Sequence, residues 1–244
     1  MFPYDSTLLT ILEAPPQSIA DVLATMQAID ATTTDGDGLK WFNWLYFQVT
    51  QAVETRVNAG GFSDPAFLAE LDIQFAQLYF QALKDCLSNQ PLPDCWQALF
   101  ARRSQAALTR IQFALAGINA HINHDLPIAL VAAFHARNIS PQHGTAQYAD
   151  YSGLNSSLDS LIDKAKTTLN VRFLGDTLPE ITGLEDTLAG WSMSAARDAA
   201  WNNAELLWHL QAEAWLTSAL LGTLDGLTSV VGQGLLIPVP AFVS

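Results

Sequence analysis

Apolar residues recur every third or fourth position through nearly the whole chain, and no run shows the strict alternation of a half-buried strand. That pattern confines the chain to helices packed on helices. The 244 residues are short enough for one core, because single cores stop growing only beyond about 250–300 residues. No Pro-, Gly- or Ser-rich linker divides them. The expectation is an all-α, single-domain bundle of about seven to nine helices. Residues 1–17 form an N-terminal arm in this reading, and residues 215–244 an apolar terminal helix and tail.

Local signals place most of the helices. Ser18 with Asp21 makes a capping-box-like start for SIADVLATMQAID. TTTDGDG reads as a turn, since the Glu that would close a calcium loop is missing. LKWFNWLYFQVTQAVETRV follows as an aromatic helix closed by Gly60-Gly61. Asp64-Pro65 opens the next. A long helical pattern covers Trp96 to Leu126, and Pro127 either kinks it or starts a new helix. Ile139 to Gly153 reads as a loop, LNSSLDSLIDKAKTTLNVRF as an amphipathic helix, and WSMSAARDAAWNNAELLWHLQAEAWLTSALLG as one long helix.

Composition narrows function. The chain is 50% hydrophobic, only 14% charged, and carries a net charge of −13. Such a surface repels phosphate backbones and anionic lipid, so no nucleic-acid partner is expected. The low charge also fits a surface hidden in a homodimer. MFPYDSTLLTILEAPP lacks the basic and long apolar regions of a secretory signal, and Cys86 and Cys95 make no CxxC pair. The expectation is a cytoplasmic protein with free thiols. WLTSALLGTLDGLTSVVGQGLLIPVP is long enough to span a membrane, but Asp225 near its centre would cost about 2.5–3.5 kcal/mol. A buried terminal helix breaking near Gly232 to Gly234 is the better reading.

GINAHINHDLP holds two His, two Asn and one Asp inside an oily run. At about 100° per residue, Ile111, Ala114, Leu115, Ile118 and Ile122 share one face. Asp125 falls on that face, and His121 lies one turn before it, so the two point together into the core. Asn119 lies at the opposite shoulder, and Asn123 and His124 point elsewhere. Farther on, Trp201, Trp208 and Trp215 recur every seven residues, with Arg197 and Glu205 inside the stripe. Glu205 and His209 are again spaced i, i+4. Asp72 sits among Leu68, Phe75, Ala76 and Tyr79. A buried charge must be paired, so Asp72, His121, Asp125, Arg197 and Glu205 are expected to meet in one desolvated cluster.

The bland alternative is a structural network in which Arg197 bridges Asp72 and Asp125. Three chemical uses compete with it. In metal-free acid–base catalysis His121 is the base, Asp125 orients it, Arg197 holds an anion, and Glu205 and Asp72 are further acids. Trp41, Trp44, Phe75, Tyr79, Trp201, Trp208 and Asn119 then line a pocket for an apolar or aromatic small molecule. The reaction is a cyclase, lyase, isomerase or hydrolase step; no G-x-S-x-G marks a serine nucleophile. In a metal site, zinc or iron would sit on His121, Asp125, Glu205 and His209. The third use is a carrier that binds a hydrophobic ligand without turnover.

Two resemblances add to this. HxxxD resembles a piece of the ligand set of the helical zinc phospholipase C and P1-type nuclease family, over five residues. That family needs more His and an N-terminal Trp, which this chain lacks. NAHINHDLP, with LDIQFAQLYFQAL and ARDAAWNNAELLW, resembles a bacterial and fungal helical domain of unknown function, from about Gly38 to Leu236. The match implies a shared polar site but no activity. Members of that family often carry Arg after the Asp of the TLD segment, whereas Gly226 follows Asp225 here, so Asp225 stays outside the expected site.

Overall fold

The structure, a computed structural model, describes residues 2–155, 158–161 and 192–238. Besides the helical residues 158–161, ten α-helices and one π-helical turn have both ends within the described residues. They are α1 (Asp5–Ile11), α2 (Ile19–Thr32), α3 (Gly38–Asn58), α4 (Pro65–Leu87), α5 (Asp94–Phe100), α6 (Arg110–Ala120), the π turn (His121–Asp125), α7 (Leu126–Arg137), α8 (Ala146–Ser152), α9 (Met193–Leu210) and α10 (Ala214–Leu235).

The starts follow the sequence signals. The Ser18 side chain accepts from the Asp21 amide, and Asp64 accepts from Phe67 just ahead of Pro65. Gly60, at φ 70°, takes the left-handed conformation that ends α3. Asp37, the last acidic residue of the DGDG turn, caps α3 and is fully buried. Its charge is met by Arg103, which also reaches Asp5 at 3.1 Å. That ion trio ties α1 to the body of the protein. The N-terminal arm is therefore an integral helix, with Leu8 wholly inside the core.

Helix α3 packs on α2 and α6, α4 on α7, α9 on α7, and α10 across α5 and α6. The α3–α6 contact depends on two glycines. A Cβ at Gly38 would lie 2.3 Å from Phe113 Cδ1, and one at Gly117 would lie 2.3 Å from Phe42 Cγ. Each helix thus offers a notch to the other's phenylalanine, which seats Phe42 deep between them.

Three expectations are corrected. Ile139 to Gly153 contains α8, whose seven residues are too short for a hydrophobic period to reveal. The long last helix is broken at Gln211 to Glu213 into α9 and α10. The terminal helix neither breaks at Gly232 nor lies buried. It runs to Leu235 and hides only a narrow face of Thr228, Ser229, Gly232 and Leu235. Trp215, Leu227, Val230 and Val231 are exposed, and α10 is long and apolar enough to cross a membrane by length and composition alone. Of the predicted helix LNSSLDSLIDKAKTTLNVRF, residues 156–157 and 162–173 lie outside the described residues.

Candidate functional site

Pro127 sets the local geometry of the polar stretch. It has no N–H to return to the carbonyl four residues back, so the α-helix cannot pass through it unchanged. The chain answers with one wide turn, in which the Leu126 amide bonds the His121 carbonyl five residues earlier. The turn rotates the residues that follow. His124, expected to point away from the core, is instead buried with His121 and Asp125. A fixed 100° step fails here because the turn holds an extra residue.

Asp125 is the hub. Its Oδ2 accepts from His121 Nδ1 at 2.9 Å and from Trp96 Nε1 at 2.9 Å, and its Oδ1 accepts from His124 Nδ1 at 2.7 Å. Burial alone would raise its pKa, but hydrogen bonds from the two imidazoles and their charges hold it below the usual carboxylate value. An ionised carboxylate can only accept, so both rings carry their proton on Nδ1. Each ring therefore presents Nε2 on the side away from Asp125.

The two rings differ in surroundings. Burial dominates at His121 and lowers its pKa, with Asp125 offsetting only part. At His124 burial also opposes the charge, but Asp125, with Asp225 beyond it, outweighs burial and raises the pKa.

His121 lies in an aromatic box. Phe75 stacks flat on it, with centroids 3.4 Å apart and 4° between planes. Tyr46 meets it at 4.4 Å, Phe42 at 5.7 Å and Trp96 at 5.9 Å. The Nε2 atom is buried and has no hydrogen-bond partner. The same holds for Asp72 Oδ2, while the buried hydroxyls of Tyr46 and Thr50 have each other as their neighbour. Tyr46 and Thr50 are one turn apart on α3, and Asp72 and Phe75 are one turn apart on α4. Asp72 acts on the Tyr46 phenol, whose pKa is pushed up by burial first and by the charge of Asp72 second. Burial, with Glu54 adding to it, raises Asp72 itself to about 7.

The other expected residues do not join this box. Arg197 donates to Asn155 Oδ1 at 2.8 Å and to the Tyr151 carbonyl at 2.9 Å, and it stacks over the Tyr151 ring at 4.0 Å. It bridges neither Asp72 nor Asp125, because α9 faces α8 there. Glu205 accepts from Trp201 Nε1 and from His143 Nδ1, and its expected partner His209 is exposed. The predicted ligand set His121, Asp125, Glu205 and His209 is therefore not assembled. Trp201 and Trp208 pack against Phe134, in a second aromatic group. Asn119 reaches the Thr228 carbonyl and pins α10. Trp41 donates to the Asp35 carbonyl and lies under Arg110, and Trp44 is half-buried on α3. Of the predicted lining, Phe75 and Tyr79 belong to the box; Tyr79 stacks on Trp96 at 5.4 Å.

Phe42, Tyr46, Thr50 and Trp96 were missed by sequence reasoning. Tyr46 had a readable signal: its i+4 partner Thr50 is a polar residue on an apolar face. Cys86 and Cys95 are both free thiols, as expected. A separate surface cleft of about 420 Å³ lies between the α1–α2 connection and α4, lined by Gln74, Gln77, Gln81 and Lys84 among others. It carries no imidazole or thiol.

Residues 19–238 match the family described as a family of unknown function, DUF5995, and the chain belongs to it. No curated protein and no solved structure matches the chain.

Proposed function

We propose that this member of the family is a small-molecule enzyme that moves a proton within the aromatic box. The observation that carries the proposal is the two unpartnered buried polar atoms, His121 Nε2 and Asp72 Oδ2, together with the buried Tyr46 hydroxyl on which Asp72 acts. Each unpartnered atom costs the fold about 1–3 kcal/mol, which a purely structural core would have no reason to retain.

The roles follow from the chemistry of each group. His121 Nε2 is a lone pair held in place by Asp125 and is the base. The Tyr46 hydroxyl and the Asp72 carboxyl, which keeps its proton into the neutral range, are donors for a developing oxyanion. A base and acidic donors together suit removal of a proton next to a carbonyl, which is isomerase or lyase chemistry. The aromatic walls favour a planar, apolar substrate. It enters by displacing the Phe75 ring from His121. Arg197 and Glu205 have no part in this reading.

Substituted phenols and naphthols imitate a planar enolate and serve as probes. Saturating probe should raise the melting temperature of the wild-type protein, and Tyr46→Phe and His121→Asn should each lose most of that shift. Equal shifts in all three proteins, or none in the wild type, would overturn the reading. A carrier without turnover is the second use of the same box. It is separated by solvent-proton exchange into a bound carbonyl compound, which the wild-type protein catalyses and His121→Ala abolishes if the box is an enzyme, and which neither protein catalyses if it is a carrier.

A further inference from the structure

The same π turn presents a second imidazole, and the proposed proton transfer does not use it. His124, Cys95 at the start of α5 and Asp225 on α10 each offer one ligand atom, and these atoms all lie within 4.8 Å of one another. We infer that Cys95, His124 and Asp225 form a binding site for a zinc-class divalent cation.

The donors come from three separate elements and each is oriented. His124 gives its Nδ1 proton to Asp125 Oδ1, which leaves Nε2 as the only ring atom able to bind a metal. A carboxylate behind a histidine ligand is the usual outer support of a metal site. Asp225 accepts the backbone amides of Asp94 and Cys95 at 2.9 and 2.8 Å, which fixes its carboxylate beside the thiol. The Ser229 hydroxyl donates to the Asp94 carbonyl and the Asn119 amide donates to the Thr228 carbonyl, holding α10 against α5 and α6 at this point. The thiol and imidazole are buried while Asp225 is only half-buried, so the ion has a path from solvent.

Sulfur, nitrogen and oxygen donors together select zinc over magnesium or calcium, which take oxygen alone. Tetrahedral zinc brings its donors to roughly 3.3–3.6 Å from one another, given bonds of about 2.0–2.3 Å. Small side-chain movements therefore close the site. As the metal–sulfur bond forms, the thiol proton leaves to solvent. Three protein ligands leave the fourth position open to water. Asp125 is shared, since it bonds His124 through one oxygen and His121 through the other. A bound ion would therefore hold the orientation of the base in the box.

Cobalt(II) is the probe, because a thiolate-bound cobalt absorbs in the near ultraviolet by charge transfer. The full chain should take up one equivalent with that band, and excess zinc should bleach it. Cys95→Ser should abolish the band and Cys86→Ser should leave it intact. Asp125→Asn should keep the band but weaken affinity about 10–100-fold, as an outer support does. The proposal falls if wild-type protein gives no band, if Cys95→Ser retains it, or if Cys86→Ser removes it. The wild-type titration needs no variant to fold, and it reads the metal without reference to the aromatic box. Failure here leaves the proposed proton transfer standing, and failure of the phenol probes leaves this site standing.

Discussion

The clusters around His121 and Arg197 are both buried, both aromatic and both carry an ionised group. They differ in their hydrogen-bond accounts. Around Arg197 the guanidinium meets a carbonyl, an amide oxygen and a ring face, and the Tyr151 hydroxyl returns a bond to the Arg197 carbonyl at 2.7 Å. None of the unpartnered buried atoms among the described residues belongs to that group. Around His121, Asp125 accepts three hydrogen bonds while His121 Nε2 and Asp72 Oδ2 have no partner. A satisfied polar network rigidifies a core, and each unsatisfied buried group carries a cost that calls for a reason. The same residue types thus close their hydrogen-bond account in one region and leave it open in the other.

The sharpest way to break this contrast is to remove the charge at Arg197. Arg197→Met keeps the packed stem but leaves the Tyr151 carbonyl and Asn155 without their donor. It should cost about 2–3 kcal/mol in urea unfolding while phenol affinity in the box stays unchanged. A loss of box affinity without loss of stability would reverse the assignment of the two regions.

Asp72→Asn should move stability the other way. The Asp72 carboxyl titrates near 7 in the folded chain, well above its ordinary value of 3.8, chiefly through burial. The folded state therefore holds this proton more tightly than the unfolded state. Stability from Asp72 is complete below about pH 4 and is lost as the pH rises through 7. The amide variant has no such loss. It should be more stable than wild type at pH 8, by on the order of 1–3 kcal/mol, and the difference should vanish near pH 4 in matched urea melts. A pH-independent difference would show that Asp72 is ionised throughout.

The smallest effect belongs to Glu205. It is half-exposed and meets a largely exposed His143, so Glu205→Gln should change stability by no more than about 0.5 kcal/mol. A larger loss would mean that the second aromatic group depends on this ion pair.

Much of the fold was legible because helical period and capping are local. Ser18, Asp64, Pro65 and Gly60 announce boundaries through their own backbone chemistry. Of the site, His121, Asp125, Asp72, Phe75 and Tyr79 could be read, since polar residues on an apolar face declare their burial. Arg197 and Glu205 were read as buried in the same way, and Arg197 is buried while Glu205 is only half-buried. Their partners were misassigned because a helical face says which side turns inward and nothing about which neighbour it meets. His124 was misread for a different reason: its direction depends on a π turn whose cause, Pro127, lies three residues on. Asp225 was set aside because of the residue after it, whereas its partners are the backbone amides at the start of α5.

The sequence alone determined that this chain is helical, where most of its helices begin, and that Asp72, His121, Asp125 and Arg197 are hidden. Those are consequences of single-residue backbone preference and of periodicity, both of which act within one or two turns. Tertiary structure decided which hidden groups share a carboxylate and which are left without a partner. That choice rests on contacts between residues far apart in the chain, such as Trp96 with Asp125, Tyr46 with His121 and Asp225 with the amide of Cys95. No local rule carries it, because each contact exists only once α3, α4, α5 and α10 have closed around the π turn.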